Sequence, residues 1–252
     1  HMKIRALSAL ALGGALALTA VHASADDLVM WLSFDDDSGA TAVDESGFGN
    51  DATFFGNPQW VDGVYEGQGL GFDGATWGEV ADDDSLDLTG PFTLTSWALV
   101  NPGGEAIQSA MEKGPAWGAG EYNLAALYNG GTILQAADLP AACADTNSGA
   151  SIQDATWHHL AGVLDGAQIK IYIDGVLDAA MDCVGSLTPN DGALYIGARG
   201  GTGRFLNGAL DELRVYNYPL TDAEIEGDMS NAAPVEARGK VATAWSSLKA
   251  AR

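Results

Sequence analysis

Basic side chains are scarce in this chain: 11 Lys and Arg stand against 34 Asp and Glu, a formal net charge of −23 over 252 residues. That imbalance repels phosphate backbones and anionic membrane surfaces, which excludes nucleic acid as a partner. Histidine is almost as rare, and only His158 and His159 lie beyond the first 25 residues. Neighbours on a strand project to opposite faces, so this pair serves neither one metal nor one dyad and reads as structural. Cysteine is limited to Cys143 and Cys183, enough for one disulfide. The pair is expected to bond if the chain is exported, tying a turn-rich stretch to the strand near Ala180; two buried thiols are the alternative. The apolar run at residues 6–21 is shorter than the about twenty residues a bilayer span requires.

That run reads instead as a secretory signal. His1-Met2 looks like a cloning scar, Lys3 and Arg5 form a positive start, and Ala23-Ser24-Ala25 supplies a small-x-small cleavage pattern. Cleavage after Ala25 would remove two positive charges and take the net charge from −23 to −25. No cysteine near this point offers a lipid anchor.

Residues 26–229 read as one domain, because turn signals recur about every ten residues with no long helical pattern between them. Strands are expected at 28–34, 69–72, 77–80, 92–100, 122–128, 132–135, 158–164, 168–173, 176–181, 193–196 and 210–216. In 156–180, Asp165-Gly166 and Asp174-Gly175 suit two-residue hairpin turns, and Ile169, Ile171 and Ile173 alternate with Lys170 and Tyr172. Thr221 to Glu224 has the capping-box pattern of a short helix. Residues 230–252 form a linker and a basic tail in which Val241, Trp245 and Leu248 share one helical face, suited to docking on the sandwich, a partner or an envelope component.

The segments TWHHLAGVLDGAQIKIYIDGVL and LNGALDELRVYNYPLTDAEI (206–225), with LVMWLSFDDDSGATAVDESGFGNDATFFG (28–56) and GLGFDGATWGEVADDDSLDLTGPFTLTSWALV (69–100), resemble the laminin-G-like jelly-roll domains of secreted bacterial proteins, relatives of concanavalin A-like lectins and glucanases. The resemblance spans 28–227 and implies an all-β fold, a two-sheet antiparallel jelly-roll sandwich. It is specific for fold and weak for function, since this sandwich hosts lectins, lyases, hydrolases and adhesion modules.

Asp44, Asn50 and Asp51 lie in VDESGFGND, a glycine-spaced loop dense in the hard oxygen ligands calcium takes. The resemblance adds Asp211 as a further ligand of a structural calcium ion, with Asp73 less secure. The alternative is Asx turns, in which these side chains cap their own backbone. The acidic runs at 35–37 and 82–84 read as solvated loops.

A retaining glycosidase needs two carboxylates about 5–5.5 Å apart. The Glu-x-Asp-x-x-Glu stretch of related glucanases is absent, and strand alternation puts Asp211 and Glu212 on opposite faces. Glu112, Lys113, Tyr122 and Arg199 could be assembled into a polysaccharide-lyase site, although their spacing does not select one. Glycan binding calls for aromatic platforms and planar polar groups at a loop rim. Trp117 in KGPAWGAGEY and Arg199 and Arg204 in RGGTGR provide them, with Tyr122 alongside; Trp60 and Trp77 are weaker, and Trp31, Trp97 and Trp157 read as core. The acidic surface disfavours sulfated or uronate polymers, except through calcium or the two arginines.

The sequence thus leads to an exported, calcium-stabilised module that binds polysaccharide or a surface glycoconjugate. A lyase or hydrolase on the same sandwich is the catalytic rival. A cell-surface component docking through its tail is the structural one.

Overall fold

The computed structural model describes residues 28–35, 38–65 and 67–230; the expected signal segment and the basic tail lie outside them. Two antiparallel sheets enclose the core. The first runs in the order β14 (Val176–Asp182), β13 (Gln168–Ile173), β12 (Trp157–Leu164), β7 (Phe92–Val100), β16 (Asn207–Tyr216), β5 (Gln68–Asp73), β4 (Gln59–Asp62), with β1 (Leu28–Leu32) also paired to β16. The second runs β11 (Asp145–Asn147), β10 (Gly131–Ala136), β9 (Tyr122–Tyr128), β8 (Ile107–Lys113), β15 (Leu194–Ile196), β6 (Trp77–Val80), β3 (Ala52–Phe55), β2 (Thr41–Ala42). This is the expected jelly-roll sandwich. Several strands that sequence pattern passes over (β2, β3, β4, β8 and β11) complete it.

The isoleucine alternation behaves as read. Ile169 and Ile171 are fully buried between the sheets with Leu160, Leu164 and Leu134, each such side chain contributing about 1.5–3 kcal/mol. Gly162 on β12 faces Leu134 and Leu124, and a Cβ there would sit 3.1 Å from Leu134, so a side chain would have to push that leucine aside by a few tenths of an ångström.

The two Asp-Gly turns differ. Asp174 and Gly175 both have positive φ (51° and 75°), as a type I′ turn demands. In the other, only Gly166 is left-handed, while the Asp165 carboxylate accepts from the backbone N–H of Ala167 and Gln168. That turn is therefore closed by an Asx contact rather than by two positive-φ residues. Cys143 and Cys183 are bonded, with Cα atoms 5.6 Å apart. The bridge ties the loop between β10 and β11 to the segment after β14.

A bulge in β16 overrides the alternation expected at its centre. Its partners on β7 jump from Asp211 opposite Trp97 to Arg214 opposite Thr95, and Glu212 has φ +51°. The extra residue corrects the expectation that Asp211 and Glu212 face opposite ways: Glu212 joins Arg214 and Trp31 outside the first sheet, and its charge is felt at Asp211. Trp31 and Trp97 likewise belong to this outer face and not to the core. The Arg214 guanidinium lies 4.9 Å from the Trp31 ring centroid, and Trp97 stands edge-on to His159 and Tyr65.

Helix α1 (Asp222–Met229) covers this face. Its capping box forms as read, with Thr221 and Glu224 bonding reciprocally. Ile225 buries against Tyr172, Tyr216, Ala161 and Val163. At its far end Asp228 accepts from Arg214 (2.8 Å), Tyr216 and His159 Nε2 (2.9 Å). Burial alone would raise the Asp228 pKa, yet Arg214 and then His159 hold it far below the usual carboxylate range. His158, with the opposite parity, bonds Asp174 and Asp154. Each histidine is thus held by its own carboxylates, and the two share none through their rings.

Candidate functional site

The outer face of the second sheet carries a polar row. Asp145, Gln135, Asn123, Glu112, Tyr195, Glu79, Thr53 and Thr41 are successive register partners from β11 to β2. Directly opposed residues share a face. Gln135 points outward because Leu134 and Ala136, its neighbours on β10, fill the core. Its amide is fixed at both ends: Oε1 accepts from Asn123 Nδ2 (2.9 Å) and Arg204 Nη1 (2.9 Å), and Nε2 donates to Asp145 Oδ1 (2.7 Å).

Two loops rise over this row. The segment 197–206 between β15 and β16 brings Arg199 and Arg204 to Glu112, which is fully buried and also accepts from Ser109 Oγ (2.7 Å). A buried carboxylate needs such partners to offset its loss of water. The segment 114–121 brings Trp117, 42 % exposed, with the Arg199 guanidinium 5.7 Å from its ring centroid. Between Trp117 and the β10–β11 loop lies a groove of about 290 Å³, walled by Ala137, Leu139, Ala141 and Ala144 and carrying Gln135, Asp145 and Arg204 as its polar groups. A concavity that joins apolar walls to a few fixed polar groups is the usual form of a small-molecule site. The Cys143–Cys183 bridge secures the wall that Ala141 and Ala144 provide.

Glu121 sets the pose of Trp117. Its carboxylate accepts from the backbone N–H of Ala116 (3.2 Å) and Gly118 (2.7 Å), one on either side of the indole. The loop closes on Gly114 (φ +88°), where a Cβ would lie 2.3 Å from Glu121 Oε1. Burial pushes the Glu121 carboxyl up to about 7, against 4.5 ordinarily. A carboxyl raised in the folded state costs stability once ionised: the penalty is absent below the unfolded value near 4.5 and complete above about 7. We therefore expect the melting temperature to fall by several degrees between about pH 5 and about pH 8.5. The Glu121→Gln variant should have a flatter profile in scanning calorimetry; an unchanged slope would remove Glu121 as the cause.

The other sequence-assigned residues fall elsewhere. Tyr122 is a core residue, fully buried with its hydroxyl on Leu86 O (3.0 Å), and so is corrected as a glycan contact. The lyase constellation does not assemble either: Lys113 pairs with Asp82 while Glu112, its neighbour on β8, faces Arg199. Trp77 lies under Gly201 of the arginine loop and stacks on Phe55 at 4.4 Å.

The calcium set is spent on hydrogen bonds. Asp44 Oδ1 accepts from the N–H of Trp31 and Ser46, and Oδ2 from Ser46 Oγ and the N–H of Gly49 and Asn50. Asp51 accepts from Asp44 N, and Asn50 donates to Val29 O and Ser85 Oγ. Asp211 accepts from the N–H of Val64 and Glu212, and burial pushes it up to about 7. Asp44 thus accepts five hydrogen bonds shared between its two oxygens, contacts of the Asx type that were the alternative to a calcium ion. Among the described residues no three His, Cys, Asp or Glu side chains converge on a metal position.

Sequence reasoning passed over Asn123, Gln135, Asp145 and Glu121. A signal existed for the two amides: Asn123 is the one amide in YNLAALY and Gln135 the one amide in GTILQA, the mark of an outward position with a partner across the ladder.

Residues 72–226 match the Laminin_G_3 family model, described as the concanavalin A-like lectin/glucanases superfamily. No curated protein matches the chain by sequence. Among solved structures, domain 4 of AbnA, a GH43 extracellular arabinanase from Geobacillus stearothermophilus in complex with arabinotriose, is 19% identical with TM-score 0.66, over 81% of this chain and 98% of that one. The binding domain of Paraclostridial Mosquitocidal Protein 1 is 16% identical with TM-score 0.64, over 81% and 52%. The binding domain of Botulinum Neurotoxin DC in complex with SialylT is 13% identical with TM-score 0.61, over 82% and 52%. At such identities the likeness is one of fold.

Proposed function

Because this chain belongs to the concanavalin A-like lectin/glucanases superfamily, we propose that it is an exported carbohydrate-binding module whose ligand lies in the groove between Trp117 and the β10–β11 loop. The observation that carries this is the pairing of a half-exposed indole with the locked planar groups of Gln135, Arg204 and Asp145 in one concavity. A sugar ring presents C–H bonds on its faces and hydroxyls at its edge, so it needs both a flat apolar platform and in-plane donors and acceptors. Fold neighbours in complex with arabinotriose and with SialylT support the reading. The disulfide supports export, since such bonds persist in oxidising compartments.

The test is titration of plant and marine oligosaccharides into the full chain, followed by calorimetry and by the Trp117 indole N–H resonance. Saturable binding that moves this resonance is expected. If no oligosaccharide binds more tightly than about 1 mM, the ceiling of weak recognition at about −4 kcal/mol, the reading fails.

A further inference from the structure

Resting on that reading, we propose that the groove is selective for uncharged sugars, recognised through their hydroxyls, and rejects uronate, sialyl and sulfated ligands. The two arginines beside it are not free cations. Arg199 and Arg204 share the buried Glu112, and Arg204 Nη1 also donates to Gln135 Oε1. The backbone N–H of Arg204 is held by Glu105. Meanwhile the row crossing the sheet contains three carboxylates, Asp145, Glu112 and Glu79, and no base. Within the groove wall itself, the exposed Asp145 offsets Arg204. An anionic ligand therefore meets no surplus positive charge, inside a chain whose net charge is −23.

Hydrogen-bond chemistry points the same way. Asp145 offers an exposed acceptor at the rim. A hydroxyl both donates and accepts, and so can donate to Asp145 while accepting from a neighbouring donor. A carboxylate or sulfate oxygen only accepts, and is repelled where it meets Asp145.

The experiment compares arabinotriose and xylotriose with trigalacturonate and 3′-sialyllactose by calorimetry on the full chain, at about 50 and 500 mM NaCl so that screening differs severalfold. At least one neutral trisaccharide should bind tenfold or more tightly than either acid, with less than a twofold change across that salt range. Asp145→Asn keeps an oxygen for Gln135 Nε2 while removing the charge, and should narrow the gap by raising affinity for the acids. Acids that bind the wild type as tightly as the neutral sugars, or a gap unchanged in Asp145→Asn, would overturn the inference and leave the carbohydrate reading standing. Absence of binding by all four, and by the wider panel, would instead remove the carbohydrate reading itself.

Discussion

Asp228→Ala should destabilise the fold by about 3–5 kcal/mol, the cost of breaking a buried ion pair by deleting one partner. Arg214 is 1 % exposed, and Asp228 holds it together with Tyr216 and His159. Without the carboxylate, the guanidinium still pairs with Glu212 but loses the charge at the helix end, and His159 Nε2 loses its bond to Asp228. The damage should reach α1, because Asp228 lies in its last turn and Tyr65 bonds Met229 O. Asp228→Asn, which retains the size and one acceptor oxygen, should cost less. Urea unfolding monitored by tryptophan fluorescence reads the difference, and a loss below about 1 kcal/mol for the alanine variant would show that the network is not what fixes the helix. Sugar affinity should be unaffected in the folded variant, since Asp228 lies outside the first sheet and the groove outside the second.

Trp117→Ala should have the reverse signature, a loss of about 2 kcal/mol in sugar affinity, near thirtyfold, with little change in stability. The indole is 42 % exposed, so its removal vacates a surface platform and leaves the core intact. Its backbone pose comes from Glu121 through Ala116 and Gly118, contacts that survive the substitution. Trp117→Phe, which preserves a smaller flat surface, should retain part of the affinity. If Trp117→Ala binds like wild type, recognition does not occur in this groove, whichever sugar is used.

These two variants divide the molecule as the sequence could not. The isoleucine alternation, the Asp174-Gly175 turn, the capping box at Thr221 and the disulfide were legible because each depends on near neighbours or on pairing the two cysteines available. Trp117, Arg199 and Arg204 were legible as residue types in glycine-rich loops. Their company was not: Gln135 and Asn123 lie in apolar strands, and their roles follow from strand register. Tyr122 was misplaced for the same reason, since strand alternation gives two faces without saying which is inside.

The sequence by itself determined the sandwich, its hairpins and the scarcity of positive charge, all of which rest on local backbone preference, burial periodicity and composition. Tertiary structure decided the rest. The bulge at Glu212 turned a supposed two-faced pair into part of a buried network, and the loop at Asp44 spent its carboxylates on its own backbone. Register across eight strands gathered Asp145, Gln135, Asn123 and Glu112 into one row beneath two loops. Partners far apart along the chain meet only when ladder register and loop closure are fixed together, and no local pattern encodes that geometry.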